Sequence, residues 1–218
     1  LPDEKGHLTM LKLNRRAMIA LAAAATAAMT PALAQDATAP AAGDAPGDFS
    51  LGSPDAPIKM VEYASYTCPH CADFHTNVFK TLKAEYIDTG KVHFTLREVY
   101  FDRYGLWAAM VARCGGDMRY FGIHDMLFDK QKEWAASQDP MEVVNNLKAI
   151  GLAAGLDQAT LDACLNDQAK AEALIKQFET NMAADGVKGT PTIFINGEMH
   201  SNMAWEDLKK ILDEKLAG

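Results

Sequence analysis

Apolar positions along the chain change spacing several times, and each change predicts an element. Residues 57–64 are a compact apolar run preceded by the turn sequence Gly52-Ser53-Pro54-Asp55, which predicts a strand. Phe49-Ser50-Leu51, ahead of that turn, predicts a short edge strand. Phe74, Val78, Leu82 and Tyr86 then recur at intervals of four, on one face of a helix. Lys91–Tyr100 alternates and is rich in strand formers, after Thr89-Gly90. Strand, helix, strand is a βαβ unit, so the strands flanking the helix are expected to run parallel.

From Tyr104 to Ala184 the spacing is helical throughout. Leu106, Met110 and Cys114 form one stripe, closed by Gly115-Gly116, and Met118, Phe121 and Leu127-Phe128 suggest a second helix. Asp139-Pro140-Met141-Glu142 has the layout of a capping box with proline at the first helical position, ahead of Val143, Leu147 and Ile150. Asp157 opens a short helix with Leu161, Cys164 and Leu165; Leu174, Phe178 and Met182 lie on the next. After Gly186 the strand pattern returns in Thr192–Ile195, followed by the hairpin turn Asn196-Gly197, a returning strand at 198–200, and a last helix with Trp205, Leu208 and Leu212. The two strand-bearing pieces need each other to complete a sheet. The expected fold is therefore α/β, residues 49–103 and 185–218 forming one domain with a helical domain, 104–184, inserted into it.

The first strand leads directly into Cys68-Pro69-His70-Cys71 at the start of the helix. Unpaired N–H groups and the dipole at a helix N-terminus favour negative charge, so Cys68 is expected to be a stabilised, reactive thiolate. Pro69 suits the first helical turn. His70 can add a hydrogen bond or positive charge near Cys68, and Cys71 is one turn on, within reach of a disulfide. A Cys-x-x-Cys pair is also half of a zinc site, but Cys114 and Cys164 stand alone and no paired histidines follow. Redox use is the stronger reading, and no metal or cofactor is expected.

The N-terminal segment reads as targeting sequence. Met10 is the expected start; Lys12, Arg15 and Arg16 precede an apolar run from Ala17 to Met29, and Ala32-Leu33-Ala34 is a small-residue cleavage site. The run is short of the ~20 residues a membrane span needs. Residues 1–34 are thus expected to be leader and signal peptide, and 35–48 a flexible linker without periodicity. Export to the periplasm permits disulfides, so Cys114 and Cys164, both on apolar stripes, are expected to pair. A net charge of −8 argues against nucleic acid or an anionic membrane surface as partner.

Glu62-Tyr63-Ala64-Ser65-Tyr66-Thr67-Cys68-Pro69-His70-Cys71, the helical insertion, and Gly189-Thr190-Pro191-Thr192-Ile193-Phe194-Ile195-Asn196-Gly197 together resemble the DsbA family of thioredoxin-fold thiol:disulfide oxidoreductases. The resemblance covers residues 49–218. It implies that Cys68 is the exposed nucleophile and Cys71 its buried partner. It further implies that Pro191 is a cis-proline beside them and, with Thr190 before it, binds substrate. Glu62 matches a buried acid that moves protons for Cys71; without the motif it would read as an ordinary strand glutamate. Two departures stand out: Leu96 occupies the place of a basic residue near that acid, with Arg97 beside it, and Thr190 replaces the apolar residue of the prototype, as in isomerase relatives.

Reduced exported proteins would be the substrates, and a membrane quinone-linked, DsbB-like protein the reoxidising partner. An isomerase or reductase of the same fold is the alternative. Such isomerases carry an added dimerisation segment, for which 35–48 is too short and polar, so a monomer is expected. A redox-inert chaperone or peptide-binding module, its eleven Met and its aromatics lining a groove, is a third reading, opposed by the intact cysteine pair.

Overall fold

The computed structural model describes residues 46–218; the stretch expected to be a signal peptide and most of the expected linker lie outside the described residues. Five strands, β1 (Phe49–Leu51), β2 (Ile58–Ala64), β3 (Val92–Glu98), β4 (Thr192–Ile195) and β5 (Glu198–Ser201), form one sheet in the order β1-β3-β2-β4-β5. β2 and β3 are parallel; every other pairing is antiparallel. The turn between β4 and β5 places Asn196 at φ 51° and Gly197 at φ 84°, the double positive φ that a tight hairpin demands and that an Asn-Gly pair supplies.

Alternation along β2 directs Ile58, Met60 and Ala64 into the main core, and Glu62 with them. Tyr63 faces the opposite side, in a smaller cluster with Val99 and Val187. The active-site helix begins as α1 (Pro69–Phe74). It continues through a π-helical stretch (His75–Phe79), α2 (Lys80–Leu82) and a second π-helical stretch (Lys83–Ile87). A strict interval of four is wider than the 3.6-residue α turn. The wider π turns keep Phe74, Val78, Leu82 and Tyr86 in register with the core, and all four are buried.

Between β3 and β4 come α3 (Arg103–Cys114), α4 (Gly116–Asp129), α5 (Gln131–Trp134), α6 (Pro140–Ala153), α7 (Gln158–Leu165) and α8 (Gln168–Asp185); α9 (Trp205–Ala217) closes the chain. The aspartates Asp102, Asp139, Asp157 and Asp167 cap α3, α6, α7 and α8 by accepting backbone N–H bonds. The capping box at α6 is only half formed. Asp139 Oδ1 accepts from the Met141 N–H at 2.9 Å, but Glu142 takes a hydrogen bond from Ser137 Oγ at 2.6 Å instead of reaching back. Ser137 Oγ in turn accepts the Asp139 N–H at 3.0 Å.

Met118 does not belong to the buried face of α4: it is 96 % exposed, and that face is Tyr120, Ile123, His124, Leu127 and Phe128. Two residues from Tyr120 is about 200° of helical turn, the opposite side. Gly47 and Asp48, at the end of the stretch expected to be flexible, are fastened: Gly47 O accepts from Arg113 Nη1 at 3.0 Å, and Asp48 pairs with Arg97 Nε at 3.0 Å.

The insertion is anchored to the sheet by a buried polar cluster. Glu98, at the end of β3, accepts from Arg113 Nε and Tyr120 OH at 2.6 Å each and from Tyr100 OH at 2.7 Å. A disulfide joins Cys114 on α3 to Cys164 on α7.

Candidate active site

Cys68 occupies the N-cap position of α1 in an extended conformation, with Pro69 beginning the helix. The loop before it is held from two sides. Thr67 Oγ1 donates to Asp102 Oδ2 at 2.6 Å, and Gln131 Nε2 donates to the carbonyls of Tyr66 at 2.8 Å and Cys68 at 2.9 Å. Gly105 packs so closely here that a Cβ would sit 3.3 Å from both Ser65 Oγ and Thr67 Oγ1. Asp102, Gly105 and Gln131 all belong to or border the helical block, so the insertion shapes the loop that presents the cysteines.

Both active-site cysteines are free thiols; Cys68 is half-buried and Cys71 fully buried. Cys68 Sγ donates to the Thr190 carbonyl oxygen at 3.5 Å. The Thr190–Pro191 peptide is cis, and the buried Thr190 hydroxyl makes no hydrogen bond among the described residues while Cys68 is a thiol. The Cys71 thiol first, then the neighbouring Thr190 side chain and the backbone N–H groups of Cys71 and His70, favour the Cys68 thiolate, outweigh partial burial and pull the thiol down to about 5. His70 therefore reaches Cys68 through its backbone, while its imidazole is exposed. Burial first, then the bond to Cys68 and the charge of Glu62, pushes the Cys71 thiol far upward.

Glu62 is 3 % exposed, paired in register with Leu96 on β3 and Ile193 on β4. Burial, aided by the charge of Cys68, raises its carboxyl to about 8, so at neutral pH it holds a proton close to the reacting sulfurs. Leu96 offers no charge to lower it. Arg97 projects from the opposite face, where its Nη1 donates to Asp185 Oδ2 at 2.6 Å and Tyr63 OH at 2.8 Å. The alternation of β3 separates it from Glu62.

Cys68, Cys71, Thr190, Pro191 and Glu62 thus converge at one end of the sheet, from β2, α1 and the turn before β4. The sequence reading did not include Gln131 or the Thr67–Asp102 bond. Gln131 follows α4 within a polar run and gives no periodic signal.

A family model described as thioredoxin matches residues 44–214. The chain belongs to the thioredoxin family. Within it, the chain falls with the DsbA-type proteins. It is 35% identical over 172 residues to a provisionally named protein-disulfide oxidoreductase of Rickettsia typhi, across 78% of this chain and 62% of that one. It is 26% identical over 186 residues to disulfide bond formation protein D of Bacillus subtilis, across 79% and 78% of the two chains. The crystal structure of Wolbachia pipientis alpha-DsbA1 aligns with a TM-score of 0.72 at 31% identity, covering 78% of this chain and 90% of that chain. The DsbA-type chain therefore spans about 62% of the length of the rickettsial relative. No helix among its described residues is long and apolar enough to cross a membrane.

Proposed function

We propose that this chain is a periplasmic thiol:disulfide oxidase that donates disulfides to exported proteins through Cys68 and Cys71. One observation carries the reading: the two sulfurs are driven in opposite directions, Cys68 down to about 5 and Cys71 upward. Whatever stabilises the Cys68 thiolate stabilises the reduced pair, because the disulfide carries no charge for those donors to meet. The disulfide is then readily passed on.

In the oxidised enzyme a substrate thiolate attacks Cys68 Sγ. The Cys68–Cys71 bond breaks and its electron pair leaves on Cys71. Cys71 has a high proton affinity and Glu62, protonated near neutrality, supplies the proton. The substrate's second thiolate then attacks its own sulfur in the mixed disulfide and expels Cys68 as a thiolate, a good leaving group at its lowered pKa. Two electrons pass from the substrate dithiol to the pair. Thr190 and Pro191 border Cys68 and are read as the platform for an extended substrate segment, bound through the backbone in the manner of strand addition.

The reading extends to the rest of the chain. The signal peptide delivers it to the periplasm, where it acts as a monomer and is reoxidised by a quinone-linked membrane protein. Residues 104–184 form a helical domain set into the thioredoxin-like domain of 49–103 and 185–218. The isomerase or reductase alternative draws support from Thr190, whose hydroxyl type matches the isomerase relatives.

The test is stoichiometric transfer. Oxidised protein is mixed with a reduced, unfolded, two-cysteine peptide, and insulin reduction is run in parallel. An oxidase forms one peptide disulfide per Cys68–Cys71 pair, loses this in Cys68→Ser, and reduces insulin slowly. Efficient insulin reduction with little peptide oxidation would favour the alternative and overturn the oxidase reading.

A further inference from the structure

One turn beyond Cys71, where the active-site helix meets α4, a second set of chemically capable side chains lies unused by the redox reaction. His75 opens the first π-helical stretch and is 2 % exposed, yet neither of its ring nitrogens has a hydrogen-bond partner among the described residues. A buried imidazole without partners is costly, and such groups recur where a ligand completes the site. Facing it from α4 are His124, 1 % exposed, and Asp125. His75, His124 and Asp125 each offer a ligand atom within 4.8 Å of the others. His75 Nε2 lies 3.5 Å from Asp125 Oδ1 and 4.0 Å from Asp129 Oδ1.

We propose that His75, His124 and Asp125 form a binding site for a zinc-like divalent transition-metal ion that clasps α4 to the active-site helix.

The donor chemistry selects the class of ion. Two imidazoles with a carboxylate suit zinc and neighbouring first-row cations, whereas calcium and magnesium prefer all-oxygen sites. Bonds of about 2.0–2.2 Å place adjacent ligand atoms roughly 3.3–3.6 Å apart in a tetrahedron. The His75–Asp125 edge already has that spacing. The other edges lie within 4.8 Å and close by small side-chain rotations, of the two imidazoles towards each other and of Asp125, which is half exposed and free to adjust. The Tyr66 hydroxyl holds His124 Nδ1 at 3.2 Å, fixing the ring as an outer partner does in metal sites and leaving Nε2 as the nitrogen for a metal.

The protonation states agree with this. Burial pulls His75 down to about 4 and His124 well below the usual histidine range, so both are neutral lone-pair donors at pH 7. A charged His75–Asp125 ion pair is therefore not the reason for the contact. Asp129 is engaged at 2.7 Å by Lys80, so the fourth position falls to water or to Asp129 after release of that lysine. Sequence alone did not reveal the cluster, because His75 and His124 sit far apart in the chain, without paired-histidine spacing.

The experiment uses full-length protein with Cys68–Cys71 oxidised, so that no thiolate competes, after chelator treatment. Zinc is titrated calorimetrically, and cobalt is titrated as a visible-absorbing substitute. The expected result is one equivalent bound, a tetrahedral cobalt spectrum, and a melting temperature raised by zinc. His75→Gln and Asp125→Asn should each weaken binding by at least the roughly 10–100-fold that loss of even an outer partner costs. Asp125 is half exposed, so its variant decides the matter if His75→Gln does not fold. Absence of saturable binding would overturn the site, as would binding and a cobalt spectrum unchanged in Asp125→Asn.

Discussion

Replacing Glu62 by Gln keeps the shape of the side chain and removes its titration, so the variant isolates the buried proton. In the unfolded chain the carboxyl titrates near its ordinary 4.5; in the folded, reduced protein burial and the Cys68 charge raise it to about 8. Below pH 4.5 both states are protonated and the carboxyl adds no pH dependence. Between about 4.5 and 8 the unfolded chain gives up its proton while the folded chain keeps it. Wild type should therefore lose stability by about 1.4 kcal/mol per pH unit relative to Glu62→Gln. By pH 7 the accumulated difference is roughly 3 kcal/mol, levelling off above pH 8. Part of the shift comes from the Cys68 thiolate, so in the disulfide form the slope should be the same but level off at a lower pH, leaving a smaller total difference. Urea unfolding of wild type and variant at several pH values, in both redox states, measures the slope directly. Any constant cost of burying the amide drops out of the comparison. A flat difference from pH 5 to pH 8 would mean that the carboxyl is solvated, and would remove it as proton donor to Cys71.

Thr190→Val removes a hydroxyl that lies beside the sulfurs, so the Cys68 thiolate titration at 240 nm should move upward from about 5. His70→Ala keeps its backbone N–H and should move it less; the reverse order would contradict the assignment of donors. Arg113→Ala leaves Glu98 buried without its cation, and urea unfolding should show a loss of about 3–5 kcal/mol, with a loss under 1 kcal/mol refuting the anchoring role. Serine at both Cys114 and Cys164 opens a loop with a sequence separation of 50. It should cost up to about 4 kcal/mol on the chain-entropy model, again by urea unfolding, with peptide-transfer activity retained.

What was legible in the sequence was what local chemistry dictates. The hairpin followed from Asn196-Gly197, the starts of α6 and α7 from Asp139 and Asp157, and the parallel pair from strand–helix–strand order. The nominated residues Cys68, Cys71, Thr190, Pro191 and Glu62 were found through a motif and lie together in space. What escaped was long-range and polar. Glu98, Arg113 and Tyr120 each look like surface residues in a linear reading, and only their meeting between sheet and insertion makes them buried partners. Gln131 holds the Cys68 loop from 63 residues away. Met118 misled because an apolar side chain at a helix start reads as core regardless of which way the helix turns. His75 had a signal that went unused: at four residues from Cys71 on a buried face, a polar residue needed a reason.

The central claim is that the reduced pair is stabilised by its Cys68 thiolate, and the equilibrium of Cys68–Cys71 with glutathione tests it most directly. With the Cys68 thiol at about 5, the expected midpoint lies between the values of about −270 mV for thioredoxin and about −120 mV for DsbA. A midpoint at or below that of thioredoxin would mean that the thiolate does not drive the disulfide outward, and would contradict the account of this chain as an oxidase.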